Sequence, residues 1–200
     1  MSAASDGLTA DELRRGLKGC RIGDELVVVE ETESTNDLAW QAAERGAAPG
    51  FVAFAEQQTR GRGQYGRRWE SKPHLSLCFS VLLRPATMTL RESPQLTSLL
   101  AEAVAAGLAE TTGTVPRIKP PNDIYIADRK IAGILVEGRT GSDGNYVAVA
   151  GIGINVNHTL DDFPEELRAS AGSLAMTTGK RISRSALAIA LLRQLDRFVR

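Results

Sequence analysis

Three apolar runs late in the chain, IYI at 124–126, AGILVEG at 132–138 and YVAVAGIGI at 146–154, are joined by connections too short to hold a crossover helix. A parallel partner needs a dozen or more residues to return to the same end of a sheet, so strands joined this tightly run antiparallel. The turns fall at Ala127 to Arg129 and at Gly141 to Asn145, among residues that punctuate strands. Helices and strands are mixed elsewhere. The expected class is therefore α+β, or mixed α/β, with a mainly antiparallel sheet flanked by helices.

The upstream elements follow from caps and periodicity. Thr9 stands three residues before Glu12 in a capping-box pattern and starts a short helix expected to stop near Gly19. ELVVVEE reads as a strand. Ser34 caps a helix, TNDLAWQAAERG, which ends at Gly46, with Asp37 near the positive end of its dipole. FVAFAEQ and LSLCFSVLL are strands, the second apolar enough to be covered on both faces. Ser93, with proline behind it, is expected to cap a long helix running to Glu110. A last helix starts near Ser183 or Ser185, with Leu187, Leu191, Leu195 and Phe198 as its apolar stripe.

Composition excludes several classes. Basic and acidic residues balance at 24 each, so nothing in the overall charge marks a nucleic-acid or membrane-surface protein. Cys20 and Cys78 lie far apart, and Cys78 reads as a buried free thiol. No leader-like start and no apolar window of transmembrane length occurs, which predicts a soluble cytoplasmic protein. His74 and His158 have no partner at ligand spacing, so no metal site is assigned.

The charge that matters is local. QQTRGRGQYGRRW at 57–69 contains Gly-x-Gly-x-x-Gly, the spacing of a dinucleotide-binding turn. That turn must open into a helix and be followed about 20 residues later by an acidic residue. Here Pro73 and a strand follow, and no Asp or Glu lies between Glu70 and Glu92, so the dinucleotide reading fails. What remains is glycine that lets backbone approach a ligand, interleaved with Arg60, Arg62, Arg67 and Arg68, which suits a loop closing over an anion. A solvated flexible loop and an RNA-stacking loop through Tyr65 and Trp69 are the alternatives.

A second cluster is KPPNDIYIADRKIAG. Asn122 offers a donor and an acceptor at one edge, as adenine recognition requires, or simply forms a turn. Lys130, one of five lysines, starts a strand between apolar residues and either meets an anion or is a solvated hairpin lysine. Gly133 signals close approach of a backbone or ligand, and Asn155 ends a strand after two glycines.

In order and spacing, ESTND at 33–37, QQTRGRGQYGRRW at 57–69, KPPND at 119–123, DRKIAGILVE at 128–137 and AGIGINVN at 150–157 resemble the biotin protein ligase family, over roughly residues 25–200. The resemblance implies the fold shared with class II aminoacyl-tRNA synthetases. It also implies a two-step enzyme using biotin, ATP and Mg²⁺: biotinyl-5′-adenylate forms with release of pyrophosphate, then a lysine of a biotin carboxyl carrier protein attacks it. Ser34, Thr35, Gln58, Gly61, Arg62 and Gly133 match biotin-pocket positions, and Arg67 and Trp69 match the loop that closes over the adenylate. Lys119, Asn122, Lys130 and Asn155 match nucleotide and phosphate positions, with Lys130 and Arg62 as the implied catalytic cations and Lys130 also reaching the biotin carboxylate.

The sequence departs from the family pattern at Gln64, where many relatives carry a second loop arginine, and at Pro120, where tryptophan is usual. Residues 1–200 are expected to form a single catalytic domain, without the small C-terminal SH3-like barrel or an N-terminal DNA-binding domain, and hence without a repressor role. A lipoate or octanoate ligase or transferase of the same superfamily, and a biotin-binding protein that does not complete transfer, are the competing readings. No nucleic-acid or membrane partner is expected, and a homodimer is left open.

Overall fold

The computed structural model describes residues 7–141 and 143–198. Seven strands form one mostly antiparallel sheet in the order β1-β2-β3-β7-β6-β5-β4. They are β1 (Leu26–Thr32), β2 (Val52–Gln58), β3 (Ser76–Leu83), β4 (Arg117–Lys119), β5 (Asp123–Ile126), β6 (Arg129–Thr140) and β7 (Tyr146–Asn155). The helices are α1 (Ala10–Gly16), α2 (Thr35–Glu44), α3 (Ser93–Thr112), α4 (Leu174–Thr178) and α5 (Arg184–Phe198).

The expected β5-β6-β7 meander is present, and its first turn is of the hairpin type. Ala127 and Asp128 both take positive φ, 47° and 64°, the mirror-image turn whose twist matches that of the flanking strands. Among the described strands only β1 and β2 pair in parallel, and α2 supplies the crossover that such a pair needs. The caps on α1 and α2 sit where expected, Thr9 accepting from the Glu12 N–H and Ser34 from the Asn36 N–H, but the Glu12 carboxylate accepts from the Ser185 hydroxyl instead of completing a capping box.

Two expectations are corrected, and one element was not foreseen. Ser93 does not cap α3. Thr89 forms the capping box with Glu92 one 3₁₀ turn earlier, and the Ser93 hydroxyl instead donates to the Leu90 carbonyl. Phe198 is 44% exposed and leaves the apolar stripe of α5, while Leu187, Leu191 and Leu195 are fully buried. The three-residue β4 carries too short a pattern to be read from sequence, and it forms by pairing with β5.

Alternation assigns each sheet residue to a layer. Phe54, Phe79, Val81, Ile134, Ile152 and Ile154 project to one side and meet Leu100, Val104 and Leu108 of α3 and Leu187 and Leu191 of α5 in the main core. On the other side, Ala53, Leu82, Val147 and Val149 pack against Ala39, Trp40 and Ala42 of α2. That helix covers only one end of the second face, so the other end is open to form a site.

The core side also contains charge. Arg184, fully buried, donates to both oxygens of Glu56 at 2.6 and 3.0 Å and to the Ser76 carbonyl at 3.0 Å. Glu56 also accepts from the Leu8 N–H at 2.9 Å, so one ion pair joins β2, β3, α5 and the N-terminal segment. Burial pushes the Glu56 carboxyl up, but the hydrogen bonds from Arg184 and Leu8 and the charges of Arg184 and His74 outweigh it and hold the group below the ordinary glutamate range. Its contribution to stability is thus present at neutral pH and lost as pH falls through the lowered pKa. Arg184→Met, which strands the carboxylate, should destabilise the protein by about 3–5 kcal/mol in urea denaturation, and adding Glu56→Gln should recover most of that loss.

Candidate active site

Across the open end of the second face, one row of cross-strand partners runs Ala55, Cys78, Gly153, Gly133, Asp123 and Lys119. Glycine at the two central positions leaves a floor of bare backbone. Gly151, one step along the same face of β7, extends it.

Residues 61–69 form a small hairpin above this floor. The Trp69 N–H donates to the Gly61 carbonyl at 3.0 Å and the Gly63 N–H to the Arg67 carbonyl at 2.7 Å. Tyr65 and Gly66 turn the tip with φ of 59° and 74°. The hairpin seats the Trp69 indole on the glycines: a Cβ added to Gly153 would lie 2.4 Å from its ring, and one added to Gly133 would lie 3.3 Å away. Behind the indole is Cys78, buried as expected. Burial pushes its thiol up to about 12, against the opposing influence of Trp69, Ser71 and Gln58.

A second loop, residues 159–172, closes another side. It is stitched to the start of β6: the Lys130 N–H donates to the Ser170 carbonyl and the Gly172 N–H to the Lys130 carbonyl, while Arg129 donates to the carbonyls of Arg168 and Ala171. His158 anchors its base, buried, stacked on Phe163 at 5.0 Å and within 3.3 Å of the Ser76 hydroxyl. Burial, set against the nearby Asp162 charge, pushes this imidazole down to about 4 and keeps it neutral at physiological pH.

The cavity so formed is about 500 Å³. Eleven of the twelve residues singled out from the sequence line it: Ser34, Thr35, Gln58, Arg62, Arg67, Trp69, Lys119, Asn122, Lys130, Gly133 and Asn155. Gly61 does not. Its missing side chain is required by the hairpin itself, since a Cβ there would lie 2.5 Å from the Trp69 carbonyl oxygen.

The two ends of the cavity differ chemically. At one end, Gln58 Oε1 accepts from both the N–H and the hydroxyl of Thr35, at 2.8 and 3.1 Å. The Ser80 hydroxyl lies 2.7 Å from Thr35 Oγ1 and 2.6 Å from Asn36 Oδ1, but its one proton cannot serve both. Turning the Asn36 amide makes its otherwise unpartnered Nδ2 a donor to Ser80, and the chain then runs Asn36, Ser80, Thr35, Gln58 with each hydroxyl donating once. At the other end, Lys130 Nζ is 2.6 Å from Asp123 Oδ1, an ion pair rather than an aligned hydrogen bond, and 5.9 Å from the Trp69 ring centre. Lys119 stands over Tyr125 at 5.5 Å, and Asn122 is fixed by its amide donating to the Ile134 carbonyl.

Arg62 reaches the cavity, where its guanidinium is engaged by Asp37 and Glu137. Sequence reasoning also passed over Asp123, Gly151, Gly153, Ser80 and the loop at 159–172. The alternation of Gly151 and Gly153 with Ile152 and Ile154 was the available signal for a bare face on β7.

Fold and site together define a mixed α/β domain that encloses a ligand cavity, with a neutral hydrogen-bonding end and a cationic end. Residues 28–157 match the model of the biotin/lipoate A/B protein ligase family, and the chain belongs to that family. It is 39% identical over 178 residues to the bifunctional ligase/repressor BirA of Bacillus spizizenii, covering 89% of this chain and 54% of that protein. It is 34% identical to the biotin–[acetyl-CoA-carboxylase] ligase of Mycobacterium tuberculosis, covering 86% of this chain and 63% of the relative. The chain thus spans little more than half the length of these relatives. Among solved structures, the biotin protein ligase of Aquifex aeolicus in complex with biotin and ATP superposes with a TM-score of 0.74 at 32% identity, covering 88% of this chain and 70% of that one.

Gly153→Ala is expected to unseat the indole, because the added methyl overlaps it and the strand backbone cannot yield. A changed tryptophan emission with a nearly unchanged thermal midpoint would be the result; an unchanged emission would show that the hairpin is seated elsewhere.

Proposed function

We propose that this domain is the catalytic part of a biotin protein ligase, joining biotin to ATP as biotinyl-5′-adenylate and passing the biotinyl group to a lysine of a carboxylase carrier protein. The observation that carries the reading is Lys130, whose ammonium is held by Asp123 at the edge of the glycine floor, with Lys119 on the same sheet face. A carboxylate and a triphosphate repel each other, and fixed cations between them lower that repulsion where charge develops. In the first step a carboxylate oxygen attacks the α-phosphorus as the bond to the β-phosphate breaks and pyrophosphate leaves. In the second, the carrier amine attacks the acyl carbon and AMP leaves.

The neutral end suits the uncharged head of biotin. Gln58 and Thr35 with Ser34 would meet its polar groups, and Trp69 would cover it against the floor. Asn122 and Asn155 would contact the nucleotide, and Arg67 would meet the phosphates. Closure by the hairpin and by loop 159–172 would keep water from the adenylate.

Among the described residues no group of three or more His, Cys, Asp or Glu side chains could hold a metal ion. Mg²⁺ would enter as part of the nucleotide, ligated by phosphate and water. No helix among them is long and apolar enough to cross a membrane, and a cytoplasmic location is part of the same proposal.

Pyrophosphate release with ATP and either biotin or lipoate tests the reading; release with lipoate alone would reverse it. Adenylate formation without labelling of a purified carrier domain would reduce the protein to a binding and activating one. Lys130→Ala is expected to lower adenylate formation by at least about a hundredfold, in line with loss of a charge-assisted contact made at the transition state, and to keep the parental circular dichroism.

A further inference from the structure

The Arg62 side chain serves a different purpose from the one its place in a glycine-arginine loop suggests. Its two terminal nitrogens donate to the two oxygens of Asp37 at 2.9 and 2.8 Å, a bidentate pair with the first turn of α2. Its Nε donates to Glu137 Oε1 at 3.1 Å, and one terminal nitrogen also reaches Glu137 Oε2 at 3.4 Å. Four of the five guanidinium protons are thereby directed at protein carboxylates. One positive charge faces two negative ones, so the group has little attraction left for an anionic ligand. These carboxylates also hold its proton more firmly than usual, Asp37 first and Glu137 second, against the opposing effect of burial.

The three residues come from three elements. Asp37 is on α2, Glu137 on β6, and Arg62 in the hairpin, bridged to Arg68 on the opposite limb. Glu137 is itself placed by the Trp40 indole N–H, which donates to its Oε2 at 3.0 Å, and Arg139 lies over that indole at 4.1 Å. Fixing Arg62 fixes the Gly61–Trp69 pairing next to it, and with it the position of the Trp69 ring on Gly153 and Gly133.

We propose that Asp37 and Glu137 are positioning residues. Through the Arg62 guanidinium they tether the hairpin at the lip of the cavity, leaving its peptide groups and Trp69 to meet the ligand and Lys130 to meet the anion. The consequence for ligand binding rests on the function proposed above; the tether itself does not.

Tryptic cleavage after Arg67 and Arg68 in the ligand-free protein reads the tether directly. Asp37→Asn, Glu137→Gln and Arg62→Ala should each speed that cleavage about fivefold or more, as loss of charge-assisted hydrogen bonds allows, with thermal midpoints close to the parent's. Glu137→Gln keeps an acceptor for Trp40, so a role confined to supporting Trp40 would leave cleavage unchanged. Combining Asp37→Asn with Arg62→Ala should add nothing to Arg62→Ala alone, because both remove one contact. Biotin affinity by calorimetry should fall about tenfold in Asp37→Asn and Glu137→Gln, and where turnover is measured KM for biotin should rise with kcat within about threefold. Unchanged cleavage, additive effects, or a loss confined to kcat would overturn the tether. Failure of the parent protein to activate biotin, with cleavage responding as described, would instead remove the functional reading and leave the tether standing.

Discussion

The pairing of Gly133 with Gly153 is the constraint on which the site depends. Two adjacent strands in the middle of a sheet both lack a side chain at the same level, which makes the second face deep enough for the Trp69 indole. A methyl on Gly153 would occupy the Trp69 ring, and one on Gly151 would collide with the Asn36 amide, which belongs to the polar chain at the neutral end. Sheet backbone does not recede to make room, because both strands are held by ladder hydrogen bonds on either side. The site is therefore built from omitted atoms, with functional groups arranged around the gap.

What makes that arrangement tolerable is the asymmetry of the two sheet faces. Packing of α3 and α5 against the first face, with the Glu56–Arg184 pair tying the N-terminal segment and α5 to β2 and β3, carries the core. The second face is then free to be half covered. Asp123 and Lys130 occupy the sheet on the exposed half, where β5 and β6 pair, and two loops supply the remaining walls. Charge is distributed accordingly. Lys130 is balanced by one carboxylate and keeps donors for an anion, whereas Arg62 is balanced by two and acts on the loop that carries it.

Much of this was legible beforehand. Ser34 and Thr9 declared their helices because a hydroxyl before a helical run has a backbone N–H to satisfy. Short polar links forced β5, β6 and β7 to be antiparallel. Eleven of the twelve site residues read from motifs do meet in one cavity. What was not legible shares one cause, which is that a local pattern names a residue's capacity and not its neighbour. Arginine in a glycine loop can clamp an anion or a carboxylate, and only the approach of Asp37 and Glu137, 25 and 75 residues away, decides between them. Ser93 can cap a helix, but Thr89 already does so with Glu92.

By itself, then, the sequence determined the longer elements, their mainly antiparallel pairing, the family and eleven of the residues that gather at the cavity, since each of these follows from short-range periodicity, turn geometry or motif spacing. Tertiary structure alone decided which glycines form the floor, that Asp123 faces Lys130, and that Arg62 points to carboxylates. Those outcomes depend on cross-strand register and on loops folding back from far along the chain. Contact energies of that kind have no signature within any short window of residues.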